Sequence, residues 1–327
     1  MSLMKKNETD VTEFIFLAFG EILHLQTFLF LIFLAIYILT LTANSVNILL
    51  VMTHQHLHTP MYYFLGNLSC LEILYSSAIL PKMLAILWTG DMTISVKGCI
   101  AQLYFFSLLI CSECYLLSVM SYDRFLAICK PLHYATLMNS KCCVQLAVSC
   151  WVNGVVFVSL YLMLVLEIHY CGLNEIDHFY CEAFPLINLS CSHSTILSFV
   201  TLALAFIFSF PPFLLTVISY VYIISAVLKI PSTIGRQKAF STCSSHLIVV
   251  CIFYGAIIIV YLVPKMETMK VLNKIFSLLY TILPPIANPL IYSLRNKDVK
   301  EVLKKLLGKL WKTNSKSPGC AMYRSEW

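Results

Sequence analysis

Long apolar stretches alternate with short polar segments along most of the chain, and seven of them stand out. A helix that crosses the hydrocarbon core of a bilayer needs about 20 mostly apolar residues, and each stretch reaches that length. The pattern therefore predicts an all-α membrane protein built as a bundle of seven helices. The predicted spans 1 to 7 are Leu25–Met52, Met61–Leu87, Cys99–Ile128, Cys142–Leu166, Ile196–Leu228, Ala239–Val263 and Val271–Tyr292.

The spans divide the chain into an N-terminal tail (1–24), a membrane domain (25–292) and a C-terminal segment (293–327). The first part of the C-terminal segment is amphipathic, which predicts a short helix lying on the inner leaflet. A solvated tail is the alternative. The apolar face of this helix would consist of Val299, Val302, Leu303, Leu306, Leu310 and Trp311.

Composition and charge agree with a membrane protein. Only 12% of the residues are charged, about half the usual share of ~25% in soluble domains. The net charge of +6 comes largely from lysines and arginines after span 7, and such a cluster meets anionic lipid more often than nucleic acid. We therefore expect a lipid partner there and no nucleic acid.

The distribution of positive charge predicts the orientation. Fifteen of the 22 lysines and arginines fall on the side that includes the C-terminus, and the more positive side of a membrane protein faces the cytoplasm. An odd number of spans then places the N-terminus outside the cell, in the plasma membrane. Residues 1–10 lack the apolar core of a cleaved signal peptide, so span 1 is expected to act as the insertion signal.

Four of the 14 cysteines face the oxidising side in this orientation, and four cysteines allow three pairings. They are Cys99, Cys171, Cys181 and Cys191. Two glycosylation sequons, at Asn7 and Asn188, also face outward. The first is the better acceptor because it lies in what should be a free tail.

Several segments of the sequence carry specific motifs. PMYYFLGNLS (60–69) enters span 2, MSYDRFLAICKPLHY (120–134) ends span 3, KAFSTCSSHL (238–247) opens span 6 and NPLIYSLRNK (288–297) ends span 7. Together they resemble olfactory receptors, the largest group of rhodopsin-like G-protein-coupled receptors, over roughly residues 14–307. Small departures occur where the family usually has other residues, namely Ala43 before Asn44, Glu72 for an aspartate and Phe125 for a tyrosine.

The resemblance implies a receptor and not an enzyme. It would bind small volatile molecules and activate a stimulatory heterotrimeric G protein, which raises cyclic AMP. A non-olfactory receptor for a metabolite is an alternative. A channel or transporter is another, but it would need polar residues along several spans, and the ionisable residues inside the membrane are essentially Glu72 and Glu113.

The ligand pocket is expected in the outer half of the bundle, among spans 3, 5, 6 and 7. No acid or base is expected to project into it from these spans, which favours a neutral, mostly apolar ligand. The predicted lining residues are Phe106, Ser107, Ile110, Cys111, Leu204, Phe208, Tyr254, Ile257, Tyr261, Leu278 and Thr281.

The resemblance also implies a signalling switch at the inner end. Arg124 would pair with Asp123 in the inactive receptor and turn towards the G protein in the active one. Asn288 and Pro289 permit a kink in span 7. The same segment would repack Tyr292, with Tyr220 of span 5 as its partner.

Further expectations concern ions and disulfides. Asn44, Glu72, Glu113 and Asn288 would form one site in which the two carboxylates share either a sodium ion or a proton; two separately hydrogen-bonded acids are the alternative. The resemblance pairs Cys99 with Cys181 and Cys171 with Cys191. His178 and Glu182 beside Cys181 resemble a metal-ligand grouping, but a disulfide would occupy the thiol. We therefore expect no metal site and no other cofactor.

Overall fold

The computed structural model describes residues 11–168, 170, 174–190, 194–262 and 270–295. Within these residues seven long helices form the bundle, which confirms the predicted fold class, and we keep the names spans 1 to 7 for them. Six are long and apolar enough to cross a membrane, and span 6 contains a shorter apolar part, residues 243–258. The seven run over Gln26–Thr53, Pro60–Thr89, Val96–Cys129, Ser140–Leu166, Ser194–Leu228, Thr233–Leu262 and Lys270–Arg295.

Short helices accompany the spans. A loop helix, Pro131–Leu137, follows span 3, and an outer helix, Ala183–Asn188, precedes span 5. Two 3₁₀ helices cover Leu17–Leu25 and Gln55–Leu57.

Local sequence signals set several helix ends. Pro60 begins span 2, where its missing N–H costs no hydrogen bond. Gly90 ends the same span with a φ of 76°, a left-handed conformation that glycine adopts without strain. Ser95 caps span 3 because its hydroxyl accepts a hydrogen bond from the backbone N–H of Gly98 at 3.1 Å. Asn139 caps span 4 in the same way.

Span 3 lies at the centre and packs against spans 2, 4 and 5, while span 7 packs against spans 1, 2 and 6. Spans 3 and 4 approach each other closely at Gly154. A Cβ atom at this position would lie 2.9 Å from the carbonyl oxygen of Leu108 and would also collide with Ser112. Only a glycine permits this approach.

A three-stranded sheet covers the outer face of the bundle. Strand β1 (Glu13–Phe16) lies between β2 (Thr93–Ser95) and β3 (Glu175–Ile176), antiparallel to β2 and parallel to β3. The expectation of a free tail is therefore wrong for the residues that lead into span 1. Phe14 and Phe16 alternate along β1 and are both buried, because they lie beneath the outer loops. Four residues are too short a run for this alternation to predict a strand.

Candidate functional site

The loop between spans 4 and 5 forms a lid over the outer end of the bundle. A disulfide joins Cys181 of this lid to Cys99 of span 3, the pairing that the resemblance implies. The backbone N–H of Cys181 also donates a hydrogen bond to Oε1 of Gln102 at 3.0 Å. Cys171 and Cys191 lie outside the described residues, so their pairing stays a prediction.

Tyr180 of the lid points into the bundle and is completely buried. Its ring centroid lies 5.1 Å from that of Phe106, a predicted pocket residue, and its hydroxyl donates to the carbonyl oxygen of Ser277 at 3.5 Å. Burial raises the pKa of the Tyr180 phenol well above its ordinary value, and the nearby Glu182 carboxylate acts in the same direction. The hydroxyl therefore keeps its proton and acts as a donor. Tyr180 is the ceiling of the predicted pocket.

Ionisable side chains of the lid and of the outer end of span 7 pair with one another, and the expectation that no acid or base projects into the pocket from spans 3, 5, 6 and 7 stays a prediction. Lys274 of span 7 is buried, and its Nζ lies 2.5 Å from Oδ1 of Asp177 in the lid. Nε2 of His178 lies 3.1 Å from Oε2 of Glu182. Each charged group faces a partner within the protein. Cys181 is in its disulfide, so this grouping has no thiolate to offer a metal.

Tyr254 of span 6 lies at the level of Cys114 in span 3, two helical turns further into the bundle than Phe106, the residue against which Tyr180 packs. Its hydroxyl contacts the sulfur of Cys114 in span 3 at 3.3 Å, and its ring packs edge-on against Phe213 of span 5 with centroids 5.0 Å apart. Thr281 is buried in span 7, where its hydroxyl donates to the carbonyl oxygen of Ser277 at 2.8 Å. Half-buried positions on the same spans are Ser107, Ile110, Ile257 and Leu278.

Two predicted pocket residues contact or approach span 4, and their place in the pocket stays a prediction. The ring of Phe208 packs against Phe157 of span 4, with centroids 4.9 Å apart. Cys111 lies near Cys150, also on span 4. Span 4 therefore covers part of the helix faces that carry these two residues. Leu204 is half-buried in span 5, and the side chain of Tyr261 lies outside the described residues.

The four residues predicted to form an ion or proton site include a directly connected pair in the middle of the bundle. Nδ2 of Asn288 donates to Oε1 of Glu72, and Glu72 interacts with Glu113 across spans 2 and 3. Asn44 donates to the carbonyl oxygens of Thr40 and Pro285 at 3.0 and 3.1 Å. Four buried oxygens lack a hydrogen-bond partner: Oδ1 of Asn44, Oε2 of Glu72, Oε1 of Glu113 and Oδ1 of Asn288.

Asp123 holds Arg124 at the inner end of span 3. The carboxylate accepts a hydrogen bond from Nε of Arg124 at 3.0 Å and another from the hydroxyl of Tyr134 at 2.8 Å. Tyr134 belongs to the loop helix, so Asp123 also fixes this helix against span 3. Asp123 is fully buried, and these bonds compensate the loss of its hydration.

Tyr220 lies close to this pair but has an unexpected partner. Its hydroxyl lies 2.7 Å from Nδ1 of His246 in span 6, and the two rings stack with centroids 5.9 Å apart. Pro289 is buried in span 7 next to Asn288, and the side chain of Tyr292 lies outside the described residues. The expected pairing of Tyr220 with Tyr292 therefore stays a prediction.

His246 and Tyr180 are the residues that sequence reasoning missed. His246 stands within the motif 238–247, and an ionisable residue inside a span is itself a functional signal. No comparable signal marks Tyr180, because a loop tyrosine is common and its burial depends on how the lid folds. Of the two sequons, Asn188 is exposed at the end of the outer helix, and Asn7 lies outside the described residues.

A lid tied to span 3, an acidic centre and an Asp-Arg pair at the inner end define a seven-transmembrane receptor. The family model described as olfactory receptor matches residues 33–309. The chain is 45% identical to mouse olfactory receptor 6Z7 over 302 residues, 92% of this chain and 97% of that protein. It is 46% identical to human olfactory receptor 6B1 over 301 residues, 92% and 96% of the two chains, respectively.

The chain belongs to the olfactory receptor family. Members are receptors and not enzymes, and this protein is a multi-pass protein of the plasma membrane.

Proposed function

We propose that the protein is an odorant receptor that binds small, neutral, mostly apolar volatile molecules and activates a stimulatory G protein, raising cyclic AMP. Membership of the olfactory receptor family is the observation that carries this proposal. Residues 1–24 then lie outside the cell, residues 25–292 in the membrane and residues 293–327 in the cytoplasm. The ligand lies between the ceiling at Tyr180 and the floor at Tyr254.

The paired charges at the roof support a neutral ligand. Lys274 faces Asp177, and His178 faces Glu182, so a charged ligand would have to break one of these pairs or stay unpaired. An unpaired charge at a buried site costs several kcal/mol. Apolar contact area supplies most of the affinity, and a hydroxyl such as that of Tyr254 or Thr281 orients the ligand with one hydrogen bond.

The Asp123–Arg124 pair supports a mechanism of population shift. While Asp123 holds Arg124 and Tyr134, the guanidinium is not free to reach a G protein. An agonist that binds better to the arrangement in which this lock is open increases the fraction of active receptor. The ligand itself undergoes no covalent change.

A cyclic-AMP reporter in cells that express the full chain tests both parts. The ligands are matched pairs of equal chain length, a neutral alcohol or ester against the corresponding carboxylate or amine. We expect the neutral member to be at least ~10-fold more potent, as one unpaired charge requires.

Arg124→Ala should abolish the response at unchanged surface expression, whereas Arg236→Ala, a matched inner arginine, should keep it. A potent agonist that needs a permanent charge would contradict the ligand class, and a full response of Arg124→Ala would contradict the coupling.

We further propose that Asn44, Glu72, Glu113 and Asn288 share a sodium ion or a proton. Support comes from their four unpartnered buried oxygens, because oxygen ligands suit a hard cation. Two neighbouring carboxylates in a buried site cannot both stay charged without such a cation.

The dependence of basal cyclic AMP on sodium concentration tests this site. Glu113→Gln should flatten the titration curve, because the variant removes one of the two negative charges that hold the cation. Glu167→Gln changes an exposed acid at the outer end of span 4 and serves as the matched control. Sodium curves that coincide for wild type and Glu113→Gln, at equal surface expression, would rule out a shared sodium ion.

A further inference from the structure

A groove of about 510 Å³ lies between the outer ends of spans 2 and 3, on the outside of the bundle. None of the predicted ligand-pocket residues lines this groove. Ala78, Ala101 and Phe105 form its apolar wall, and the ring of Phe105 is 55% exposed. Lys82 and Asp91 line it as well. The groove therefore combines an apolar wall with two side chains of opposite charge.

The charged groups of the groove lie nearer the outer rim of the membrane than the Phe105 ring. The backbone of Lys82 lies roughly 10 Å below the outer end of span 2, and its long side chain carries the ammonium group up towards Asp91, whose carboxylate senses that charge. Asp91 itself follows the Gly90 turn that ends this span. Phe105 lies well inside span 3, which begins at Val96, and is roughly 14 Å further along that helix. The outer rim of a span meets the headgroup region, and residues this deep meet hydrocarbon. The groove is thus charged at headgroup depth and apolar at acyl-chain depth.

Asp91 is held in place as an anion. Its Oδ1 accepts hydrogen bonds from the backbone N–H of Thr93 at 3.0 Å and from the Thr93 hydroxyl at 2.8 Å. These bonds lower the pKa of Asp91, and the charge of Lys82 adds a smaller effect in the same direction. Within the described part of the chain, Lys82 forms no ion pair at 4.0 Å or less. Its ammonium group can therefore take an external anion while Asp91 faces a cation.

We propose that this groove binds a zwitterionic phospholipid of the outer leaflet, with phosphatidylcholine as the fitting chemistry. The phosphate lies at Lys82, the trimethylammonium group lies towards Asp91, and an acyl chain follows Ala101 and Phe105. An anionic phospholipid would bring its charge to the Asp91 carboxylate without a compensating cation. A sterol has one hydroxyl and could use only one of the two charges.

The groove also borders the side chain that supports the lid. Nε2 of Gln102 donates to the carbonyl oxygen of Ala78 at 3.0 Å, and Oε1 of Gln102 accepts from the N–H of Cys181. A lipid in the groove therefore packs against a residue that contacts the lid directly.

Photocrosslinking of the full-length receptor in nanodiscs tests the site. The probes are a phosphatidylcholine, a phosphatidylglycerol and a cholesterol, each with a photoreactive group, and labelled peptides are mapped by mass spectrometry. We expect the phosphatidylcholine probe to label the peptide that covers residues 96–105. Lys82→Gln should reduce this labelling about 5-fold, as expected for one interfacial charge, and Ala101→Phe should remove most of it by filling the groove.

Matched control variants distinguish labelling by a lipid bound in the groove from labelling by general contact with the bilayer. Lys97→Gln and Ala85→Phe change an exposed lysine and an exposed alanine outside the groove, and both should label like wild type. Asp91→Asn should shift the ratio of phosphatidylcholine to phosphatidylglycerol labelling about 5-fold towards the anionic probe. Thermal unfolding of each variant verifies that it is folded. Equal labelling of wild type and Lys82→Gln, or preferential labelling of wild type by either other probe, would overturn the proposal.

Discussion

The outer and inner faces of this receptor are held together by different kinds of interaction. At the outer face, backbone pairing in a three-stranded sheet, the Cys99–Cys181 disulfide and the Lys274–Asp177 ion pair tie the tail, two loops and two spans together. At the inner face, the described contacts between functional residues are side-chain hydrogen bonds and the Asp123–Arg124 ion pair. Asp123 accepts from Arg124 and Tyr134, and Tyr220 meets His246.

This difference fits the two tasks of the molecule. A disulfide and the backbone hydrogen bonds between strands hold the outer loops in one geometry. This suits a face that must present a constant pocket. A side-chain hydrogen bond contributes about 1 kcal/mol, so a small difference in ligand affinity can shift its population. The comparison therefore predicts that outer variants lose stability, whereas inner variants change signalling.

The largest effect is expected from removing the outer disulfide. Replacing Cys99 and Cys181 together by Ser releases a link across a sequence separation of 82 residues. A loop of this size predicts a loss of about 4 kcal/mol in the free energy of unfolding. Thermal unfolding of the purified receptor measures the loss, and Cys251→Ser, at an exposed free cysteine, is the control. Equal melting temperatures for the double variant and wild type would show that the outer face does not depend on this bond.

A smaller loss is expected from Phe14→Ala in strand β1. Phe14 is fully buried, and its ring packs edge-on against Tyr170 with centroids 5.1 Å apart. Truncating a buried phenylalanine costs about 3 kcal/mol. Phe28→Ala removes a ring that is 62% exposed on span 1 and should have little effect on the melting temperature. If both variants melt alike, the tail contributes nothing to the outer face.

The smallest change in stability, and a clear change in signalling, is expected from Tyr134→Phe. The variant removes the hydrogen bond to the Asp123 carboxylate, worth about 1.5 kcal/mol because the acceptor is charged, and should raise basal cyclic AMP up to about 10-fold. Tyr222→Phe alters an exposed tyrosine on the nearby inner part of span 5 and should leave basal cyclic AMP unchanged. Unchanged basal signalling in Tyr134→Phe would mean that the bond persists in both arrangements. A loss of melting temperature as large as that of Phe14→Ala would erase the contrast between the two faces.

The seven spans could be predicted from the sequence because each is a long apolar run, and a run of that length has one dominant interpretation. Glu72 and Asn288 could be placed together because the motifs around them resemble those of olfactory receptors, and this resemblance implies a shared site. These features depend on local pattern, which a single sequence records.

The lid and the outer sheet could not be predicted in the same way. Strand β3 has two residues, and β1 pairs with segments that are distant in sequence. The burial of Tyr180 follows from the path of the lid, and the contact of Phe208 with Phe157 follows from the position of span 4. Such features depend on tertiary packing, which no short stretch of sequence records.

Strand β1 also has a consequence for the order in which the receptor is made. It leaves the ribosome first, but Asn174, which donates a hydrogen bond to the Glu13 carbonyl at 2.7 Å, follows 161 residues later. At roughly 5–20 residues per second, this partner is synthesised about 10–30 s afterwards. During that interval four spans enter the membrane, and Phe14 and Phe16 are not yet covered by the loop between spans 4 and 5. Completion of the sheet therefore marks a late step of biogenesis, and a nascent chain stalled before it would display two phenylalanines to any chaperone on the outer side.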